Sequence, residues 1–133
     1  MTGRQTSSAD NIVGMSAPLV LVKSGAQTVA ALPGRFYNDH GVPMVVKRVH
    51  ASVGTAPTGA GLTVDVKING TTVFTAAGDR ATVAATTFAG SAVPTKSGDA
   101  ITLLPGQYLT AEVAQVGSTI AGSDLVVQIT LGV

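Results

Sequence analysis

Apolar residues along most of this chain recur at every second position. Leu62, Val64, Val66 and Ile68 alternate with Thr63, Asp65 and Lys67, and Leu109, Ala111 and Val113 alternate with Tyr108, Thr110 and Glu112. Successive side chains of a strand point to opposite faces, so a period of two sends one set into a core and leaves the other outside. A helical period is nowhere sustained: Glu occurs only as Glu112, and Gly, Pro, Thr and Val crowd every stretch long enough to wind. From Pro18 onward the pattern predicts strands near 19–23, 27–31, 34–37, 44–53, 62–68, 71–75, 83–88, 99–103, 107–116 and 124–131. The segment before Pro18 is mostly polar and has no period.

Sixteen glycines and six prolines punctuate the strands. Two of the resulting turns are specific. Asn69-Gly70 joins the alternating run 62–68 to the returning Thr71-Thr-Val-Phe-Thr75 and supplies the two positive-φ residues that a type I′ hairpin needs. Leu104-Pro105-Gly106-Gln107 places Pro and Gly where a type II turn wants them. Phe36 and Tyr37 are adjacent, so a strand through them turns one ring to the core and the other outward.

The chain also repeats itself at an offset of 63 residues, Val53 to Val116 and Leu62 to Leu125. Val53, Gly54, Gly59, Leu62 and Val64 match Val116, Gly117, Gly122, Leu125 and Val127, and Val66/Ile129 and Ile68/Leu131 are close substitutions. Each copy is the end of a strand, a Gly-flanked loop and the inward face of the next strand. Two such corners suit an antiparallel β-sandwich of jelly-roll type, built of two Greek keys. An immunoglobulin-like sandwich is the competing architecture, but its Cys-Trp-Cys core is absent. The reading is all-β: residues 1–17 as an extended N-terminal arm and 18–133 as one jelly-roll-like β-sandwich.

Composition changes the picture of the surface. Charged residues are only 11% of the chain, far below the usual quarter or so. Gly, Ala, Ser and Thr stand in their place, and a surface this neutral suits extensive contact with other protein. Net charge is +1 and the cations are scattered, which argues against nucleic acid and membranes as partners. No cysteine is present, so disulfides and thiolate metal sites are excluded. The first residues lack the apolar core of a secretory signal, which points to synthesis in a cytoplasm. Residues 1–17 read either as a free terminus or as an arm ordered against a neighbour, with Ile12, Val13 and Met15 as apolar anchors and Arg4 and Asn11 as polar contacts.

Two runs carry a family resemblance: Arg48 through Phe74, which spans the first repeat copy and the Asn69-Gly70 hairpin, and Gly106 through Asp124 with the strand that begins at Leu125. Together they resemble the β-sandwich domain of tailed-bacteriophage virion proteins, over roughly residues 34–133. That family includes head decoration proteins and parts of tail fibres or minor tail proteins. The resemblance implies a structural or adhesive role and supplies no catalytic residue. The leading expectation is a capsid decoration (cement) protein on the virion surface, a homo-oligomer with a trimer favoured, whose partner is the major capsid protein. The alternative is a tail-fibre or receptor-binding module that recognises a host-surface glycan.

A search for chemistry returns little. His50 lies mid-strand beside Ser52 with no nucleophile elbow, and His40 lies in a turn. Asp39, Asp65, Asp79, Asp99, Glu112 and Asp124 fall in turns or on strand faces expected to be exposed, without the spacing of a Ca²⁺ loop. No P-loop is present. The expectation is therefore no enzyme, no cofactor and no metal. The densest polar-aromatic cluster is Phe36-Tyr-Asn-Asp-His-Gly41, in which Tyr37, Asp39 and His40 are candidate ligand or partner contacts.

Overall fold

The computed structural model describes residues 16–133. Ten strands are present among them: β1 (Ser16–Ala26), β2 (Phe36–Tyr37), β3 (Met44–Ser52), β4 (Leu62–Ile68), β5 (Thr71–Thr72), β6 (Ala81–Val83), β7 (Ala89–Ala92), β8 (Thr102–Leu103), β9 (Tyr108–Gln115) and β10 (Ser123–Gly132). They form two antiparallel sheets. Sheet I runs β1-β10-β3-β7, with β8 on the other end of β3; sheet II runs β2-β9-β4-β5, with β6 on the other end of β4. Where β7 and β8 share one position and β5 and β6 another, this is a four-on-four jelly roll. The expected arm lies outside the described residues, except that β1 already begins at Ser16.

The alternating residues meet between the sheets. Val46, Val49 and Ala51 of β3, Leu62, Val64, Val66 and Ile68 of β4, Leu109, Ala111 and Val113 of β9, and Leu125, Val127, Ile129 and Leu131 of β10 are all buried. Each fully buried Val, Leu or Ile contributes about 1.5–3 kcal/mol, so this interlayer is the main stabilising element. The hairpin turn is as the sequence predicts, with φ of 49° at Asn69 and 86° at Gly70. One side of the sandwich is closed where β6 meets β7. A Cβ on Gly90 would stand 1.8 Å from the Thr82 carbonyl oxygen, so only glycine permits that approach.

The 63-residue repeat has a spatial meaning. Shifting by the offset carries β3 onto β9 and β4 onto β10. The pairing of Ser52 with Val126 becomes the pairing of Gln115 with Thr63, and both pairs exist. The two copies are therefore related by an approximate two-fold axis that exchanges the sheets. Their loops pair directly, Thr55 with Ser123 and Thr58 with Ile120. Gly59 and Gly122 occupy equivalent places with φ of +82° and +97°. Each faces the opposite loop: a Cβ on Gly59 would lie 2.2 Å from Ser118 Oγ, and one on Gly122 would lie 3.5 Å from the Thr55 oxygen.

Several elements differ from the pattern-based reading. Residues 27–31 form no full strand; Ala31 bridges Glu112, and the segment hydrogen-bonds to β9 through Leu32 N to Ala111 O and Ala30 O from Val113 N, both 2.9 Å. β5 stops at Thr72 because Val73 and Phe74 turn inward and are buried. The expected strand 83–88 ends at Val83, because Thr86 adopts φ 67° and its N–H donates to Pro57 O. Residues Gly98–Ile101 form a 3-10 turn, which leaves β8 only two residues.

Candidate functional site

Two exposed surfaces stand out, one on each sheet. The first is the β1 flank of sheet I, which no other described strand covers. β1 is an edge strand of 11 residues, and Pro18 within it fits that role because an edge tolerates a missing N–H. Leu19 and Leu21 pack against the core, while Val20 and Val22 point outward and are 47% and 56% exposed. The register sets out the outer face in rows. Val22 lies beside Val126, then Ser52, then Ala89; Val20 lies beside Gln128, then His50, then Ser91. Neither row carries Asp, Glu, Lys or Arg. Edges are normally blunted by charge, proline or a bulge. Here Pro18 and Lys23 bracket the apolar stretch, and the bulge falls after Lys23, so Leu19–Val22 pairs with β10 in unbroken register.

The second surface is the β2 end of sheet II. Tyr37 pairs with Tyr108 across β2 and β9, and since Phe36 and Leu109 turn inward, both tyrosines turn outward. Their ring centroids are 5.7 Å apart at 54°. The Arg35 guanidinium carbon sits 4.4 Å from the Tyr108 ring centroid, a cation–π distance. Tyr37 is 53% exposed. The backbone beneath is fixed by Asn38, which is buried and donates through Nδ2 to Val42 O (2.9 Å) and Leu103 O (2.8 Å). Asn69 Oδ1 accepts from Tyr108 N at 3.0 Å.

Further along the same face the charges are paired among themselves. Lys67 Nζ lies 2.7 Å from Glu112 Oε1, and Arg80 Nη2 lies 3.4 Å from Asp65 Oδ2. Asp65 and Glu112 are cross-strand partners, a like-charge juxtaposition that these two cations neutralise. The Glu112 hydrogen bond holds the Lys67 pKa above its ordinary value. Asp65 corrects the expectation of an exposed carboxylate: it is fully buried, bound by the Thr72 hydroxyl and Arg80.

Of the residues singled out in the sequence, Arg4, Asn11, Ile12, Val13 and Met15 lie outside the described residues. Tyr37 is brought to Tyr108, over whose ring Arg35 lies. Asp39 and His40 are exposed in the turn that follows, where His40 N donates to Asn38 Oδ1 at 3.0 Å, and no hydrogen bond or ion pair ties their side chains to the tyrosines. Sequence reasoning missed Arg35 and the outer valines of β1. The signal for the valines was available: in Pro18–Val22 both alternating sets are apolar, so one apolar set must face outward. Among the described residues no three His, Asp or Glu side chains converge as metal ligands. No family model matches the chain, and no curated protein matches it.

Proposed function

We propose that the protein is a structural component of a bacteriophage virion, a capsid decoration protein that binds and stabilises the head shell through the β1 flank of sheet I. The observation that carries the reading is the 11-residue edge strand of that sheet, whose exposed Val20 and Val22 head two uncharged rows of the outer face, with Arg48 in the next row, on an otherwise well-closed jelly roll. Between Pro18 and Lys23 the edge offers backbone hydrogen bonds to a neighbouring strand, and the outer valines offer apolar area beside it. The resemblance of residues 34–133 to phage virion β-sandwiches supports the choice of partner, the major capsid protein. The charge-poor composition supports a protein neighbour over nucleic acid or membrane.

The mechanism is adhesion. Many copies, each binding modestly, stabilise a closed shell by multivalency. A protein that binds the mature lattice and not its precursor stabilises the mature form by linkage. The test mixes purified protein with mature empty capsids and sediments them. Saturable attachment is the expected result, weakened by Val22→Lys. Failure to attach, with a folded protein, ends the proposal.

A further inference from the structure

We propose that Arg35, Tyr37 and Tyr108 form a binding site for a saccharide that carries a carboxylate. The site sits on the outer face of sheet II, whereas β1 belongs to sheet I, and its test needs no shell.

Both tyrosines of the chain meet at this one place. The chain has only three other aromatic rings, and Phe74 is buried in the core. The half-exposed Tyr37 ring offers an apolar plate for the C–H face of a pyranose, while the Tyr108 ring beside it carries Arg35. The plate is rigid, because Asn38 and Asn69 pin the backbone on either side of it.

Arg35 supplies the selectivity. Among the described residues, Arg80 is paired with Asp65, and Arg48 donates to Ser91 Oγ at 2.9 Å. Arg35 instead lies against Tyr108, with no carboxylate within ion-pairing distance among the described residues. Its planar fork is thus held in place with its edge donors unspent, a geometry that matches a carboxylate bidentately. Neither tyrosine hydroxyl is engaged by a described side chain, and both remain for sugar hydroxyls. Gly70 leaves space beside Tyr108, whose hydroxyl lies 3.9 Å from where a Cβ would stand.

The experiment follows chemical shifts of the full chain during titration with four probes: sialyllactose and lactose, and a galacturonate trisaccharide with its neutral galactose counterpart. Both acidic probes are expected to bind at least about tenfold more tightly than their neutral partners, as a charge-assisted pair gives. Arg35→Gln is expected to reduce that preference to below about twofold, and Arg35→Lys to restore only part of it. Tyr37→Ala is expected to weaken acidic and neutral probes alike. Binding of one acidic probe alone would identify the sugar class. Equal binding of acidic and neutral probes, an unchanged preference in Arg35→Gln, or no perturbation of Tyr37 and Tyr108 by any probe overturns the proposal.

Discussion

The approximate two-fold axis makes two flanks of this sandwich comparable, and they have diverged. Beside β10 lies β1, paired without interruption from Ser16 to Lys23. Beside β4, the equivalent of β10, lies a broken strand: β5 pairs at Lys67–Ile68 and β6 at Leu62–Val64. Between them the chain makes an excursion through Val73 and Phe74, which are buried, and returns with Arg80 to Asp65. The broken flank fills its own edge with a core aromatic and an ion pair. The continuous flank presents Val20 and Val22 on an edge that no described strand covers. Equivalent positions in a repeated fold thus differ: one flank is closed by a buried excursion, and the other ends, among the described residues, in a continuous edge strand.

The largest expected effect breaks the closed flank. Arg80→Ala strands Asp65 as a buried, uncompensated charge and should destabilise by about 3–5 kcal/mol in chemical denaturation. The double substitution Arg80→Met with Asp65→Leu should recover most of that loss, since removing both charges also removes the desolvation cost. A small effect of Arg80→Ala alone would show that this flank is not held by the pair.

Next come the glycines that hold the two-fold together. Gly59→Ala and Gly122→Ala both force a side chain into positive φ, at about 1–3 kcal/mol each. Gly59→Ala should cost more, because its Cβ meets Ser118 Oγ, Thr119 Oγ1 and Thr119 N within 3.0 Å, whereas the nearest atom to a Gly122 Cβ is Leu62 Cδ1 at 3.3 Å. Shifts in urea midpoint read the order. The open flank should behave differently: Val20→Lys and Val22→Lys replace exposed residues and should change stability by no more than about 0.5 kcal/mol. The same variants should weaken shell attachment severalfold in the sedimentation assay.

The smallest effect concerns Lys67 and Glu112. Both side chains are one-third exposed, so Lys67→Met should cost only about 0.2–1 kcal/mol. The pKa of Lys67 is raised in the fold, chiefly by the Glu112 hydrogen bond. The pair's contribution is therefore fully present below the unfolded lysine value of about 10.4 and is lost as pH rises through the higher folded value. Denaturation midpoints of wild type and variant should differ by a constant amount from pH 7 to 9 and converge only above that range.

Much of the fold was legible because it rests on local rules. The period of two placed β4, β9 and β10 within a residue or so, and Asn69-Gly70 fixed its hairpin through backbone sterics alone. The repeat announced a two-fold design. Illegible were the features set by long-range closure. Phe74 leaves its strand because the core needs a ring there, and Thr86 takes a positive φ because Pro57 O accepts its N–H. The burial of Asp65 depends on Arg80, which only the excursion after β5 returns to it. At the candidate sites, the opposite facing of Phe36 and Tyr37 was legible, though not which ring turns outward. Its union with Tyr108 and Arg35 was not, because that requires the register of β2 on β9, and β2 has only two residues to announce it.

The difference between the flanks is tested most directly by amide hydrogen exchange on the free protein and on the protein attached to mature capsids. Slowed exchange within Ser16–Ala26 on attachment, with β5 and β6 unchanged, is the result expected if the open edge is the contact surface. Unchanged exchange in β1, together with new protection at β5, β6 or the Val73–Arg80 excursion, would contradict it.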